Sequence, residues 1–141
     1  MPSTSQHALI RRAIRHIWNE GHINMADELF AFDYVNHGGL IPDLVSGPEA
    51  IKVSVALYRR AFPWLQISVD ELRTHAGIIT LSWTARNCRP GDEPPGDGVS
   101  AQPGRLTGKT RIRCVDGKIA ESWTAWNSQS LHAVLDPHLA A

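Results

Sequence analysis

The feature that most constrains the fold of this chain is the regular alternation of apolar and polar residues in its second half. Residues 65–70 and residues 79–85 place an apolar side chain at every second position. A period of two is typical of an antiparallel strand that buries one face. Two further runs, residues 106–115 and 118–126, flank Asp116-Gly117, and this dipeptide between strands is a strong hairpin signal. The second half therefore predicts a meander of antiparallel strands.

The first half of the chain carries a helical period instead. Apolar residues recur every three or four positions in residues 9–18 and again in residues 48–62, which predicts two amphipathic helices. Gly21 favours the end of the first helix. Pro48 fits the first position of the other helix, and Pro63 cannot continue it.

Shorter elements complete the pattern. We expect a second, short helix in residues 24–30, a short extended run at 33–37 and a last short helix in residues 131–135. The segment 89–104 is rich in proline and glycine, and loops of this length are usually functional lids or mobile. The order of elements predicts an α+β fold, a curved antiparallel sheet with helices packed on one face.

Composition fits a single globular domain over residues 1–141. Fourteen basic and fourteen acidic residues give zero formal net charge, which argues against a general nucleic-acid or membrane-surface binder. No apolar run approaches the roughly 20 residues of a membrane span, and no secretory signal is visible. Cys88 and Cys114 form no Cys-x-x-Cys pair, so free thiols and a cytoplasmic location are expected.

No short motif with a defined chemistry is present. The sequence lacks a P-loop, a dinucleotide-binding glycine pattern, a nucleophile elbow and an H-E-x-x-H pair. The seven histidines do not pair at ligand spacing along the chain, and we therefore expect no metal site.

A basic stripe runs along one predicted strand. Lys109, Arg111 and Arg113 alternate, which fits a phosphate or RNA site, a solvated sheet face or one half of an oligomer interface. Zero net charge and the lack of interleaved aromatic residues favour the last two interpretations, so no nucleic-acid partner is expected.

Aromatic residues gather on elements that should face one another. Trp83, Trp123 and Trp126 lie on predicted strands, and Tyr58 and Phe62 lie on the predicted helix of residues 48–62. These rings can line a pocket for a flat apolar ligand, or they can simply fill the core.

Two ionisable residues stand out as candidate bases. His37 ends a short strand beside two glycines, and histidine is the residue type best suited to acid/base work near neutral pH. The alternative is a loop histidine with a structural hydrogen bond. Glu121 shares a face with Ile119 and Trp123 if the last hairpin is regular, and burial there would raise its pKa. A bulge near the turn would invert that register and leave Glu121 on the surface.

The residues discussed so far, in their order and spacing, resemble the SnoaL-like polyketide cyclases, a branch of the NTF2-like superfamily. The likeness runs from about residue 8 to residue 132. The segments that carry it are residues 18–21, 26–30, 33–37, 47–49, 61–63, 83–86 and 115–123.

The resemblance implies a cone-shaped α+β barrel in which three to four helices and the sheet enclose a deep apolar pocket. It also implies a homo-oligomer, a dimer or a tetramer. The best-known members close a ring of an aromatic polyketide ester by intramolecular aldol condensation, without a metal or a cofactor. An aspartate on the last strand and a histidine on the preceding strand are the acid/base pair of those enzymes.

The catalytic pair does not carry over to this chain. With the two chains aligned on Asp116-Gly117, the aspartate position falls at Thr124 and the histidine position falls at Thr110. Neither threonine can act as a base near neutral pH. Asn36 does match an asparagine of the cyclases. The resemblance therefore implies the fold and the pocket more strongly than the aldol chemistry.

The hypothesis from the sequence is a cofactor-free enzyme that acts on a small hydrophobic carbonyl compound by proton abstraction. His37 or Glu121 would be the base, and Asn36 would polarise the oxygen. The predicted substrate-binding residues are Tyr34, Tyr58, Phe62, Trp83, Thr110, Ile112, Trp123, Thr124 and Trp126. The alternatives are a non-catalytic binding protein for a hydrophobic metabolite, a structural module that dimerises through the sheet, and a cofactor-independent hydroxylase.

Overall fold

The computed structural model of the protein describes residues 2–37, 46–87 and 105–126. The proline- and glycine-rich segment 89–104, the short helix expected in residues 131–135 and Cys88 lie outside the described residues. The side chain of Trp126 does so as well, although its backbone belongs to a described strand.

The first helix runs as predicted and ends at the predicted glycine. Helix α1 spans Pro2–Arg12 and continues without a break as a π-helical segment, Ala13–Asn19. Gly21 follows with a φ of +78°, a left-handed conformation that residues with a side chain rarely adopt and that commonly ends helices.

The second helix is shorter than the sequence predicts. A 3₁₀ turn, Ile23–Met25, leads into a single turn of α-helix, α2, Ala26–Leu29. Phe30 is extended, with φ −113° and ψ 144°, and begins strand β1, Phe30–His37. Phe30 pairs with Ile119 of the last strand. This pairing with a residue distant in sequence outweighs the helical tendency of the residues that precede Phe30.

Helix α3 spans Pro48–Ala61 and follows the predicted bounds closely. Gly47 precedes it with a φ of +77°, and its N–H donates to the Tyr34 carbonyl oxygen at 2.8 Å. A β-carbon at Gly47 would collide with the carbonyl oxygen of Phe32. Glycine is therefore required where the chain turns away from β1 into α3.

The described residues form one sheet of five strands in the order β1-β5-β4-β3-β2. The strands after α3 are β2 Leu65–His75, β3 Ile78–Asn87, β4 Arg105–Val115 and β5 Lys118–Trp126. Neighbours in this meander are antiparallel, whereas β1 lies parallel to β5 at the edge. The curved, mostly antiparallel sheet with its three helices confirms the predicted α+β architecture of the NTF2-like type.

Both described hairpins turn on a dipeptide that ends in glycine, and Asp116-Gly117 is the one that the sequence predicts. Ala76 and Gly77 have φ values of 52° and 79°, and Asp116 and Gly117 have φ values of 51° and 76°. Two successive positive φ angles define the type I′ turn, whose twist matches that of antiparallel strands.

The helices cover one face of the sheet, here called the inner face, and leave the opposite, outer face uncovered by described elements. Ile79, Leu81 and Trp83 of β3 are buried on the inner face. They belong to one apolar core with Ile17 of the π-helical segment and Val55 of α3. The β3 residues that alternate with Ile79, Leu81 and Trp83 point to the outer face.

The described residues contain no helix that combines the length and the apolar character needed to cross a membrane. Cys114 is a free, half-buried thiol, as expected, and burial raises its pKa.

We predict that Gly108→Ala disturbs the inner face. A β-carbon at Gly108 would overlap the six-membered ring of Trp83, which is buried. Overpacking of this kind costs about 1–3 kcal/mol in the free energy of unfolding. Urea denaturation would measure the loss, and the indole N–H resonance of Trp83 in a two-dimensional NMR spectrum would shift. Thr107→Ala, next to it on the outer face, is the control and should leave that resonance in place. An unchanged resonance and unchanged stability in Gly108→Ala would contradict the prediction.

Candidate functional site

One irregularity in the last hairpin decides which side chains of β5 face the helices. Cys114 pairs with Ile119, but its neighbour Arg113 pairs with Glu121, so Ala120 has no partner on β4. This is a β-bulge, and the extra residue inverts the direction of the side chains that follow it. The register that the sequence left open is thereby decided: Ile119 and the residues from Ser122 onward at every second position face inward. Glu121 and Trp123 face outward.

A first hydrogen-bonded chain on the inner face links β1 to β5. The Tyr34 hydroxyl lies 2.6 Å from Ser122 Oγ, and Ser122 Oγ donates to Asn36 Oδ1 at 3.1 Å. The single hydroxyl hydrogen of Ser122 is used on Asn36, so Tyr34 is the donor to Ser122. Asn36 thus accepts with its oxygen. In the part of the chain that the structure describes, no residue accepts a hydrogen bond from its amide nitrogen.

A second chain runs across β3, β4 and β5 on the same face. The Trp83 indole N–H donates to Thr110 Oγ1 at 3.0 Å, and Thr110 Oγ1 lies 3.1 Å from Thr124 Oγ1. The two threonines have one hydroxyl hydrogen each, and only one of these is used between them. Within residues 2–37, 46–87 and 105–126, the other hydroxyl hydrogen has no acceptor, so it is available to a ligand.

The ends of the two chains lie close together. Asn36 pairs with Ser122, and Thr124 is two residues further along β5 on the same face. Asn36 and Thr124 are therefore diagonal neighbours on adjacent parallel strands. A strand spacing of about 4.8 Å and a rise of about 3.3 Å per residue put their α-carbons roughly 8 Å apart, which is within reach of a shared ligand. Both side chains are half-buried. We call Tyr34, Asn36, Trp83, Thr110, Ser122 and Thr124 the inner polar group.

A separate cluster lies on the outer face around Glu121. His37 Nε2 donates to Glu121 Oε2 at 2.7 Å, and Arg113 Nε donates to Glu121 Oε1 at 3.0 Å. The His37 ring stacks on Trp123, with centroids 5.4 Å apart, and the Arg111 guanidinium lies 5.6 Å from the centroid of Trp123. We call these five residues the outer cluster.

The hydrogen bond from His37 is the main reason that the pKa of Glu121 lies below its ordinary value. Partial burial opposes this shift, and the hydrogen bond from Arg113 adds to it. The sequence allowed a raised pKa for an inward Glu121. The bulge places the carboxylate instead beside the Arg113 guanidinium and the N–H of His37, which stabilise its charged form.

The structure divides the predicted site residues between the two faces. Asn36 is on the inner face with Tyr34, Trp83, Thr110, Ile112 and Thr124. The two predicted bases, His37 and Glu121, lie with Trp123 on the outer face, so the structure does not bring them together with Asn36. Tyr58 and Phe62 are half-buried against the core.

Sequence reasoning missed Ser122, which joins Tyr34 to Asn36. Its position two residues before Thr124 is the signal that could have found it, because alternate strand residues share a face. Among the described residues, one group could share a metal ion: His16, Glu20 and His22, which lie near the end of the π-helical segment and not on the sheet.

Comparison with known proteins agrees with the fold described above. A family model for the SnoaL-like polyketide cyclases matches residues 8–135. A search of the curated proteins finds no significant relative.

Solved structures with the same fold are numerous, and three illustrate the likeness. TsrD from Streptomyces laurentii superposes with a TM-score of 0.72 at 18% identity, over 98% of this chain and 97% of that one. A candidate polyketide cyclase from Acidithiobacillus ferrooxidans gives 0.74 at 17% identity, over 97% and 96%. Wild-type IdmH from Streptomyces antibioticus gives 0.67 at 21% identity, over 92% and 96%.

We predict that Glu121→Gln removes a pH-dependent part of the stability. The folded-state pKa of Glu121 is lowered, so its contribution is complete above the ordinary value of 4.5 and is lost as the pH falls through the lower folded value. Urea denaturation from pH 3 to pH 7 should therefore show the wild type losing its advantage over Glu121→Gln as the pH falls below about 4.5. The same comparison in a His37→Ala background is the control, and the advantage should be smaller there. An advantage that is equal at pH 3 and pH 6 would contradict the prediction.

Proposed function

Because this chain belongs to the SnoaL-like polyketide cyclase family, we propose that it binds a small hydrophobic carbonyl compound against the inner face of its sheet and promotes ring closure or isomerisation of that compound. The observation that carries the proposal is the pair of hydrogen-bonded chains that end in available donors at Asn36 and at the Thr110–Thr124 pair.

Two hydrogen-bond donors to one ligand oxygen suit the chemistry of an enolate. When a carbonyl compound loses a proton from the carbon next to the carbonyl group, negative charge develops on the oxygen. Donors that are already oriented in a partly dry site stabilise this charge without further reorganisation. The hydrogen bonds from Tyr34 to Ser122 and from Trp83 to Thr110 hold the terminal donors in place and polarise them.

The surroundings of the inner polar group favour an apolar, flat ligand. Trp83, Leu81 and Ile112 line the same face and are buried. An aromatic or polycyclic compound would bury its carbon skeleton against these side chains and present one oxygen to the donors.

The mechanism also needs a group that accepts the proton. On the described parts of β1, β3, β4 and β5, the carboxylate and imidazole side chains are Asp33, which is exposed, and the outer pair of His37 and Glu121. The hypothesis that His37 or Glu121 removes the proton therefore needs a ligand that reaches past the end of β1, where His37 is the last residue.

A binding protein is the second candidate, and the same observation favours it. Thr110 and Thr124 stand at the positions where the resemblance places the acid/base pair of the cyclases, and both are hydrogen-bonded residues without an acid/base function. Such a protein would hold a hydrophobic carbonyl compound through the same donors and release it unchanged.

We predict that Thr124→Val and Asn36→Ala weaken ligand binding about tenfold each, because each change removes a donor to the carbonyl oxygen. The probe is a panel of aromatic ketones such as 1-tetralone, steroid ketones and lactones, and isothermal titration calorimetry of the best binder measures affinity. Thr80→Val, the same substitution on the outer face of β3, is the control and should bind as the wild type does. Unchanged affinity in both inner variants would overturn the proposed ligand site.

The same ligand distinguishes the enzyme from the binding protein. NMR in D₂O follows exchange of the protons next to the carbonyl group, with and without the protein. Exchange that the protein accelerates and that Thr124→Val slows supports the enzyme. Exchange that is lost in the His37→Ala/Glu121→Gln double variant, with affinity retained, identifies the outer pair as the base. Tight binding without accelerated exchange supports the binding protein.

A further inference from the structure

Three side chains near the end of the first helix bring metal-ligand atoms together, on a part of the fold that the proposed function does not use. His16, Glu20 and His22 offer two imidazole nitrogens and one carboxylate oxygen that lie within 4.8 Å of one another. His16 Nδ1 lies 2.8 Å from Glu20 Oε1, and His22 Nδ1 lies 3.4 Å from the same oxygen. The expectation that no histidines pair at ligand spacing does not hold for these two.

We propose that His16, Glu20 and His22 bind a divalent transition-metal cation of the zinc class, with solvent water completing the coordination. Imidazole and carboxylate donors are the set that such cations take. Around a tetrahedral zinc ion with bonds of about 2.0–2.1 Å, neighbouring ligand atoms stand roughly 3.3 Å apart. The two distances to Glu20 Oε1 bracket this value, and the two imidazole nitrogens lie within 4.8 Å of each other.

The backbone brings the two histidines together. The π-helical segment, Ala13–Asn19, widens the last turns of the first helix, and π-helical turns are frequent at functional sites. Gly21, with its φ of +78°, then reverses the chain, and the His22 N–H donates to the His16 carbonyl oxygen at 2.8 Å. The two imidazole rings consequently stack, with an interplanar angle of 8° and centroids 6.4 Å apart.

The helix end that carries this group is tied to the rest of the fold. Asn19 Nδ2 donates to the Ile67 carbonyl oxygen at 2.9 Å, and the Ile67 N–H donates to Asn19 Oδ1 at 2.6 Å. Arg59 Nη1 donates to the carbonyl oxygens of Trp18 and Asn19, at 2.8 Å each. A site on a fixed backbone loses less conformational entropy when it binds an ion than a site on a mobile loop does.

The electrostatics of the position suit a cation. The site stands at the carboxyl end of the first helix, where the peptide dipoles leave partial negative charge. The Glu20 carboxylate supplies negative charge, and its Oε1 faces both imidazole rings. Arg15 Nε lies 3.8 Å from the other oxygen of Glu20, Oε2, which leaves Oε1 for the ion.

The site is open enough for water ligands. The side chains of His16, Glu20 and His22 are 30%, 39% and 62% exposed. A bound cation would join residues on both sides of Gly21 and stabilise the folded chain against unfolding, because the three ligands are not held together in the unfolded state.

Titration of the full chain with zinc chloride tests the site. The metal-free protein is prepared with EDTA, and the thermal midpoint is then measured against zinc concentration. We expect a saturable rise in the midpoint. The affinity, measured by calorimetry, should fall on the order of tenfold or more in His16→Ala and in His22→Ala. Cobalt chloride should give visible d–d bands that zinc displaces, and these bands should be lost in the same variants.

Two controls separate this site from adventitious binding. His75→Ala removes an exposed histidine elsewhere, at the end of β2, and should leave zinc affinity and the cobalt spectrum unchanged. The metal-free thermal midpoint of His22→Ala should equal that of the wild type, because the side chain is largely exposed. If the midpoint of His22→Ala is lower, the variant His22→Asn is used in its place. The absence of a saturable shift, or wild-type affinity in both the His16 and the His22 variants, would overturn the proposal.

Discussion

One unpaired residue in β5, Ala120, sets the direction of every side chain that follows it on that strand. Alternate residues of a strand point to opposite faces, so a single insertion exchanges the buried and the exposed set. Here it turns Ser122 and Thr124 toward the helices and turns Glu121 and Trp123 away from them. The inner polar group and the outer cluster both exist because of this exchange, and no substrate held on the inner face can touch Glu121 through the sheet.

The inner polar group is costly to bury unless it is fully hydrogen-bonded, which explains its connected form. Tyr34 and Ser122 are almost completely buried, and each is satisfied by the next member of its chain. Both chains run from the buried core toward half-buried ends at Asn36 and Thr124. A ligand oxygen at those ends would complete the network, so the arrangement that satisfies the core also orients the donors of the proposed site.

Charge is placed where water or a counter-charge can reach it. Glu121 keeps its negative charge between His37 and Arg113 on the outer face, and Glu20 keeps its own beside His16 and His22. Neither carboxylate lies on the inner face. The proposed chemistry there consequently depends on neutral donors, while the proposed cation site depends on a carboxylate at the end of a helix.

The local signals in the sequence determined much of this fold. The type I′ turns need Ala76-Gly77 and Asp116-Gly117 or similar dipeptides. Gly21 marks the end of one helix and Pro48 the start of another. The alternation of apolar and polar residues in β3 marks its buried face. These features act between near neighbours in the chain. Four other features were decided by the tertiary structure. Phe30 leaves the helix to join β1, and β1 pairs in parallel with β5. Ala120 forms a bulge, and His22 approaches His16. Each depends on pairing across many residues or on a single backbone angle, and a pattern of residue types specifies neither.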